Sequence, residues 1–323
     1  MSIKAVMAFT ALATSTVLGI SNAATYPDKP IRLIVPTGPG GPTDLLARIV
    51  GERASAALGQ PVIVENKAGA GGAIAGRFVA ASEPDGYTLM LGNTATLSTV
   101  PAISRNAGYQ PRSDFSAIAT ITKSYQVFVS NPKSGINTVS EAISHLNKNK
   151  GKLNFGAAGI GNLTHLSAEL FKLSTDTDFE VVQYKSGGEA LTALLAGQID
   201  FSIDTVSAIR PLVSAGRLTP LAVTSAERQE DFPNLPTMKE AGIKDYEVTS
   251  FFAVVAPTNT PIHIIQKLNQ AINSGLKSVE VQERFKSLGI PAIITTPQEL
   301  QSLIDQESRK WENLVKSSNL TLD

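Results

Sequence analysis

The chain reads IRLIVPTGPGGPTDLLARIVGERASAALG from Ile31 to Gly59, and this stretch contains a complete unit of strand, loop and helix. The apolar run of residues 31–35 predicts a buried strand, and apolar residues after Pro42 recur at helical spacing until Gly59. Proline suits the first position of a helix, because the N–H that it lacks would be unpaired there. We therefore predict a helix over residues 42–58, entered through a glycine-rich loop at the carboxyl end of a strand.

The same order of apolar run, loop of small residues and helical segment recurs along the chain, and this alternation is typical of α/β folds with parallel sheets. The units that begin near Ser124 repeat the logic of the first units, and late helices follow a last strong strand. We predict two α/β lobes, with the chain returning to the first lobe at its end. Lobe 1 is placed at residues 24–124 and 248–323, and lobe 2 at residues 125–247. The predicted strands after the first are PVIVEN, YTLMLG, FSAIATI, YQVFVS, LNFGA, EVVQY, IDFSID and FFAVVAP.

Three helix starts are indicated by capping residues. Thr138 with Glu141, and Thr296 with Glu299, have the spacing of a capping box, in which each side chain bonds the other's backbone N–H. Thr260 stands before a proline and is predicted to be an N-cap as well.

The first 23 residues predict a secretory signal. Lys4 precedes the uncharged apolar segment Ala5–Ile20, and small residues at Ser21 and Ala23 form a cleavage site. This segment is shorter than the roughly 20 apolar residues of a comfortable membrane span, although a retained N-terminal anchor helix is the alternative. Since the chain has no cysteine, it cannot carry a thioether lipid anchor. We expect a mature protein that begins at Ala24 and is free in the periplasm.

Composition excludes several classes of function. The 28 basic and 28 acidic residues leave no positive excess to attract nucleic acid or anionic lipid. The absence of cysteine excludes disulfides, zinc–thiolate sites, iron–sulfur clusters and a cysteine nucleophile. We therefore expect no nucleic-acid partner, and with 42% hydrophobic residues the chain is apolar enough to bury real cores.

Glycine is abundant, but the phosphate-binding fingerprints fail by position. A G-x-G-x-x-G motif that starts at Gly69 or Gly159 would need glycine where Ile74 or Thr164 stands. The P-loop spacing of Gly71–Gly76 is followed by arginine and phenylalanine instead of lysine and a hydroxyl residue. No cofactor, no metal site and no catalytic residue is expected.

A few side chains remain open to two interpretations. His145 and His263 are expected to be surface or packing residues, whereas His165 follows a glycine-rich loop and could bind a ligand. Asp44 could stabilise the first turn of its helix or touch a ligand, with the structural role at least as well supported. Asp204 could meet a ligand amine or hydroxyl, or it could cap the turn that follows.

Five loops of small residues follow strands and precede helices in both lobes. In the first of them, free N–H groups near Gly41 and Thr43 converge beyond the strand, where a helix N-terminus attracts anions. Loops at strand carboxyl ends in two lobes favour a shared ligand cleft between them. The five loops are Pro36–Asp44, Glu65–Gly72, Gly92–Thr99, Gly156–His165 and Tyr184–Glu189.

The motifs in these loops resemble one known family over essentially the whole mature chain. VPTGPGGPTDLLAR, VENKAGAGG, EPDGYTL, LNFGAAGIGNLTHLSAELF, VQYKSGGEALTALLAGQIDF and LAVTSAERQEDFPNLPTMKEAG are similar, in this order, to the Bug family of extracytoplasmic receptors of tripartite tricarboxylate transporters. The resemblance implies a type II periplasmic-binding-protein fold, with two α/β lobes joined by two crossing strands and a ligand cleft between them. It also implies that backbone amides and hydroxyls of the first-lobe loops hold a carboxylate.

Matching positions give the ligand-binding residues that this resemblance implies. Phe251 replaces a common aromatic residue, and Ala157 and Ala158 leave their loop without a hydroxyl, so these positions should tune ligand choice. The implied residues are Thr37, Gly41, Thr43, Asn66, Ala70, Gly71 and Thr94 in one lobe, and Ala158, Gly159, Asn162, Lys185, Ser186, Asp204 and Thr205 in the other.

The expected function is that of a periplasmic receptor, a monomer and not an enzyme. It would close on a small organic acid, such as a mono-, di- or tricarboxylate or an aromatic carboxylate, and deliver it to the membrane permease subunits of a tripartite tricarboxylate transporter. One alternative is a sensor-type receptor that presents its ligand to a membrane signalling partner. Another is a secreted enzyme that uses His165 or Asp204 as a general base in the same cleft.

Overall fold

A computed structural model describes residues 26–318, so the predicted signal segment of residues 1–23 lies outside the described residues. The strands are β1 Ile31–Val35, β2 Val62–Asn66, β3 Thr88–Asn93, β4 Phe115–Ser130, β5 Asn154–Ala158, β6 Glu180–Tyr184, β7 Phe201–Thr205, β8 Thr219–Val223 and β9 Thr249–Pro257. The helices are α1 Pro42–Leu58, α2 Ala73–Ala80, α3 Val100–Ile103, α4 Pro111–Asp114, α5 Val139–Lys148, α6 Leu163–Thr175, α7 Gly187–Ala196, α8 Val206–Ser214, α9 Ile262–Leu276, α10 Val279–Ser287 and α11 Pro297–Ser318. A short π-helical segment, Ala95–Thr99, precedes α3.

The first lobe is built on a sheet in the order β2-β1-β3-β9-β4. Strand β1 pairs in parallel with β2 and β3, and β9 joins them antiparallel. The fully buried side chains of Ile31, Leu33 and Val35 pack against α1 and α9, which explains why β1 is a continuous apolar run. This packing places the start of α1 at the carboxyl edge of the sheet.

Strand β4 is the long connection between the lobes. Its first part pairs with β9 as far as Tyr125 opposite Thr249, and its last residues pair with β7 and β8. The sequence predicted two apolar runs here, and the structure shows one strand of 16 residues. The polar residues between the runs do not end the strand, because Lys123 and Ser124 pair with β9.

The second lobe has a sheet in the order β8-β4-β7-β5-β6. Its core is rich in phenylalanine, and Phe128, Phe155, Phe171 and Phe201 are fully buried in mutual contact. The chain leaves this lobe beside β4, since Thr224 donates its N–H to Gln126 O and Val248 donates its N–H to Thr224 O. The two crossing segments therefore run side by side.

Helix α11 contacts the cores of both lobes. Leu300 and Ile304 are buried in the first-lobe core, whereas Trp311 and Leu314 are buried in the second-lobe core. The lobe boundaries at residues 124 and 248 stay predictions. Helix α11, which the prediction assigns wholly to lobe 1, also packs in the core of lobe 2.

Two of the three predicted helix starts are confirmed. Thr138 Oγ1 accepts the N–H of Glu141, and Thr296 Oγ1 accepts the N–H of Glu299, whose carboxylate accepts the N–H of Thr296 in return. The prediction for Thr260 is wrong, because its hydroxyl donates to Pro257 O and α9 begins two residues later.

In the part of the chain that the structure describes, no helix combines the length and the apolarity needed to span a bilayer.

Candidate functional site

A cavity of about 600 Å³ lies between the two lobes, where the loops at strand ends face each other. Its size is within the range of small-molecule sites. The residues that line it are Gly40, Gly41, Pro42, Leu45, Leu46, Ser124, Gln126, Ala158, Asn162, Leu163, Thr164, Gly187, Asp204, Thr205, Ser207, Ser250, Phe252, Leu288 and Ile290.

The start of α1 forms one edge of this cavity. Gly41 is the N-cap residue, with extended backbone and no side-chain cap, and Pro42 occupies the first helical position. The N–H groups of Thr43 and Asp44 have no acceptor within the helix, and none among the described residues. Gly40 turns the loop with φ of 81°, a left-handed conformation that glycine adopts without steric cost. Gly41 and Pro42 therefore line the cavity where α1 begins, and Thr43 and Asp44 follow them directly in the chain.

Asp44 holds this loop in shape. Its carboxylate accepts hydrogen bonds from the Gly40 N–H at 2.9 Å, from Arg48 Nε and Nη2 at 3.0 and 3.1 Å, and from Asn66 Nδ2 at 3.0 Å. These bonds, that of Arg48 first, lower the pKa of Asp44 to about 2. Asp44 is buried and does not line the cavity. The structure therefore favours a role for its side chain in stabilising the loop over direct ligand contact.

Neighbouring polar side chains reinforce the same loop. Asn66 Nδ2 also donates to Thr37 O at 3.0 Å, which ties the end of β2 to the end of β1. Thr43 is buried beside Asp44. Two buried polar atoms, Thr37 Oγ1 and Gln126 Nε2, have no hydrogen-bond partner within residues 26–318. Buried polar groups normally have partners, so both atoms are candidates to contact a ligand or water.

The second-lobe wall contains Asp204 at the end of β7. Asp204 Oδ1 accepts the Thr205 N–H at 2.6 Å. Gly187 packs closely on the carboxyl group, and a Cβ at that position would clash with Asp204 Oδ2. Burial raises the pKa of Asp204, and the opposing hydrogen bonds come from Thr205. Its carboxyl group is therefore an acceptor that faces the cavity without a charged neighbour among the described residues.

His165 supports the loop that precedes α6. Its Nδ1 accepts the Gly161 N–H at 3.0 Å, and its Nε2 lies 3.8 Å from Glu169 Oε1. Burial lowers the pKa of His165, which favours the neutral ring that can accept this bond. The residue is not among those that line the cavity, so the geometry favours a packing role.

The structure brings five of the fourteen predicted ligand-binding residues to the cavity: Gly41, Ala158, Asn162, Asp204 and Thr205. Thr37 and Thr43 belong to the first loop and Asn66 donates hydrogen bonds to it, but none of the three is among the residues that line the cavity. Ala70, Gly71 and Lys185 are exposed, while Gly159 is half-buried in a turn with φ of 83°. Thr94 Oγ1 accepts the Phe251 N–H at 2.7 Å, and Ser186 Oγ caps α7 by accepting the Glu189 N–H. Ligand contact by each of these residues stays a prediction.

Several lining residues were not predicted from the sequence. Ser124, Gln126 and Ser250 come from the crossing strands, and polar residues inside apolar strands were the signal that could have identified them. Leu288 and Ile290 follow α10 and carry no comparable signal, because only the tertiary fold brings them to the cleft.

Comparisons with known proteins give consistent matches. The sequence model of the tripartite tricarboxylate transporter family receptor (TctC) matches residues 46–320. Protein BugT of Bordetella pertussis (strain Tohama I) is 34% identical over 316 residues, which cover 96% of both chains.

Solved structures extend this likeness to the fold. R. palustris Rpa4515, solved with adipate, has a TM-score of 0.72 and 33% identity over 92% of this chain and 99% of its own. MatC from Rhodopseudomonas palustris, solved with bound malate, has a TM-score of 0.70 and 31% identity over 90% of this chain and all of its own. A TctC solute-binding protein from Polaromonas has a TM-score of 0.83 at 26% identity, covering 91% of this chain and 100% of its own. The predicted Bug-family resemblance and the two-lobed binding fold are confirmed.

Proposed function

Because the chain belongs to the tripartite tricarboxylate transporter receptor family, we propose that it is a periplasmic receptor that captures a small carboxylate between its lobes. In this proposal it acts as a monomer and delivers the acid to the permease of a tripartite tricarboxylate transporter. Cleavage of the signal segment after Ala23 releases it into the periplasm.

The observation that carries this proposal is the uncapped start of α1 at the edge of the cavity. A carboxylate placed there can accept the N–H groups of Thr43 and Asp44, which have no other acceptor among the described residues. The cavity-lining part of the described chain contains no arginine, lysine or histidine. The acid is therefore held by backbone donors and hydroxyl groups instead of an ion pair.

The crossing segments supply a mechanism for capture. Ser124 and Gln126 of β4 and Ser250 of β9 line the cavity at the point where the chain passes between lobes. A ligand that contacts both walls binds the closed arrangement better than the open one, and it shifts the population toward closure. The permease then recognises the closed form.

An enzyme that uses the same cleft receives less support. His165 is occupied by the Gly161 N–H and lies outside the cavity lining, so it is poorly placed as a general base. The matching family is one of receptors.

A screen of organic acids by melting temperature tests the proposal. A ligand that binds only the native state adds about 2.7 kcal/mol at 100 times its dissociation constant, which raises the melting temperature by several degrees. We expect at least one mono-, di- or tricarboxylate to do so, and its uncharged amide, as the matched control, to have little effect. Failure of every acid, aliphatic and aromatic, would contradict the proposed function.

A further inference from the structure

Most of the cavity wall is apolar, although its edge at α1 suits a carboxylate. Leu45 and Leu46, in the first two turns of α1, line the cavity, and Phe252 of β9 continues this apolar surface. Leu288 and Ile290 complete it, and the side chain of Leu288 is 38% exposed. These five residues are called the apolar wall below. A ligand that covers the apolar wall removes hydrocarbon surface from water.

The opposite wall offers no cationic side chain to a second anion, because the described residues that line the cavity include no arginine, lysine or histidine. Ala158 presents a methyl group where a hydroxyl could have stood, and Leu163 adds further apolar surface. Among the described residues that line the cavity, Asp204 is the one with an ionisable side chain, and it is 5% exposed. A second carboxylate near Asp204 would face another carboxyl group in a poorly solvated space, with no cationic side chain in the lining to compensate for its lost hydration.

We propose that the ligand is a monocarboxylic acid with an apolar body, and that the apolar wall and Asp204 discriminate against dicarboxylates. This inference rests on the proposed function and names the substrate class of the same site. In this proposal the chain differs in ligand class from the two relatives that were solved with adipate and with malate, since both of those acids are dicarboxylates.

Two pairs of acids test the proposal by calorimetry on the full-length mature protein. Hexanoate and adipate have the same chain length, and 4-methylbenzoate and terephthalate share the same ring. In each pair a methyl group is exchanged for a carboxylate. We expect the monocarboxylate to bind about tenfold or more tightly than its dicarboxylate counterpart in the better-binding pair, because the second carboxylate loses hydration without gaining a cation.

Variants connect this preference to the two walls. Leu288→Ser should weaken binding of the better monocarboxylate about fivefold, because it removes apolar contact. Ile262→Ser is the matched control, since Ile262 is 60% exposed at the start of α9 and does not line the cavity, and it should leave affinity unchanged. Asp204→Asn should reduce the preference for the monocarboxylate, because it replaces the carboxyl group by an amide whose NH₂ can donate to a second carboxylate, while keeping the side-chain shape.

The outcomes separate this inference from the proposed function. If a dicarboxylate binds as tightly as its monocarboxylate partner, or if only di- and tricarboxylates raise the melting temperature, the inference is overturned while the receptor function stands. A folded Leu288→Ser protein with unchanged affinity would also overturn it. If no acid of any class binds, the receptor function itself fails.

Discussion

Replacing Gly41 with valine is expected to weaken carboxylate binding about 100-fold and to leave the fold intact. The backbone at Gly41 is extended, and the nearest atom to an added Cβ is Gly38 O at 3.8 Å, so the protein accommodates the side chain. Gly41 lines the cavity beside the free N–H groups of α1, and a branched side chain there obstructs the approach of the ligand. Loss of two hydrogen bonds to a charged group, each of about 1.5 kcal/mol, accounts for this factor.

Gly38→Val provides the matched control for this variant. Gly38 lies in the same loop, is exposed, has open space around an added Cβ, and is not among the residues that line the cavity. Titration calorimetry should therefore show near-native affinity for Gly38→Val and a large loss for Gly41→Val, with similar circular dichroism in both. If Gly41→Val kept the same near-native affinity as Gly38→Val, the carboxylate would have to bind elsewhere.

Replacing Asp44 with asparagine is expected to lower the free energy of unfolding by about 3 kcal/mol at neutral pH. The carboxylate accepts bonds from Gly40, Arg48 and Asn66, whereas an asparagine amide has one acceptor oxygen and turns its NH₂ toward other donors. Buried donors without partners account for this loss. Urea denaturation followed by the fluorescence of Trp311, the single tryptophan, measures the difference.

The effect of Asp44 should depend on pH with a definite sign. The pKa of Asp44 is about 2 in the folded protein, below the ordinary value of about 3.9. The ionised group therefore stabilises the fold above about pH 4, and this contribution is lost as the pH falls toward 2. The difference between wild type and Asp44→Asn should shrink over that range. Glu52→Gln, an exposed change on the same helix, should stay within about 0.5 kcal/mol of wild type, and a pH-independent Asp44 difference would refute the assignment.

The sequence was most informative where local chemistry determines structure. The bounds of β1 and α1 follow directly from the apolar run, Pro42 and Gly59, and the observed elements have those bounds. The N-cap at Thr138 and the capping box at Thr296 are similarly local, although the Glu141 carboxylate accepts the N–H of Asn137 instead of that of Thr138. Thr260 was misassigned, because a hydroxyl beside a proline can equally bond a preceding carbonyl, and sequence alone does not distinguish the two.

The site could be predicted only in part, because some of its residues reach the cavity only through tertiary packing. Loops at strand ends predicted a shared cleft with Gly41 at its edge, because parallel strands bring their carboxyl ends to one edge, whereas the family resemblance implied Asn162 and Asp204. The sequence could not identify Leu288 and Ile290, which reach the cleft through the packing of α10. The spacing of residues in the sequence also did not show that the Asp44 carboxylate accepts hydrogen bonds from Gly40, Arg48 and Asn66. These bonds favour the structural role of Asp44 over ligand contact.

A crystal structure of the protein with the tightest acid from the melting-temperature screen tests the central claim most directly. The account predicts that one ligand carboxylate lies between the lobes, with an oxygen about 2.7–3.2 Å from the N–H nitrogens of Thr43 or Asp44. It also predicts that the rest of the ligand contacts Phe252 and Leu288 of the apolar wall. A carboxylate bound outside the cleft, or paired with a lysine or arginine side chain instead of the start of α1, would contradict the account.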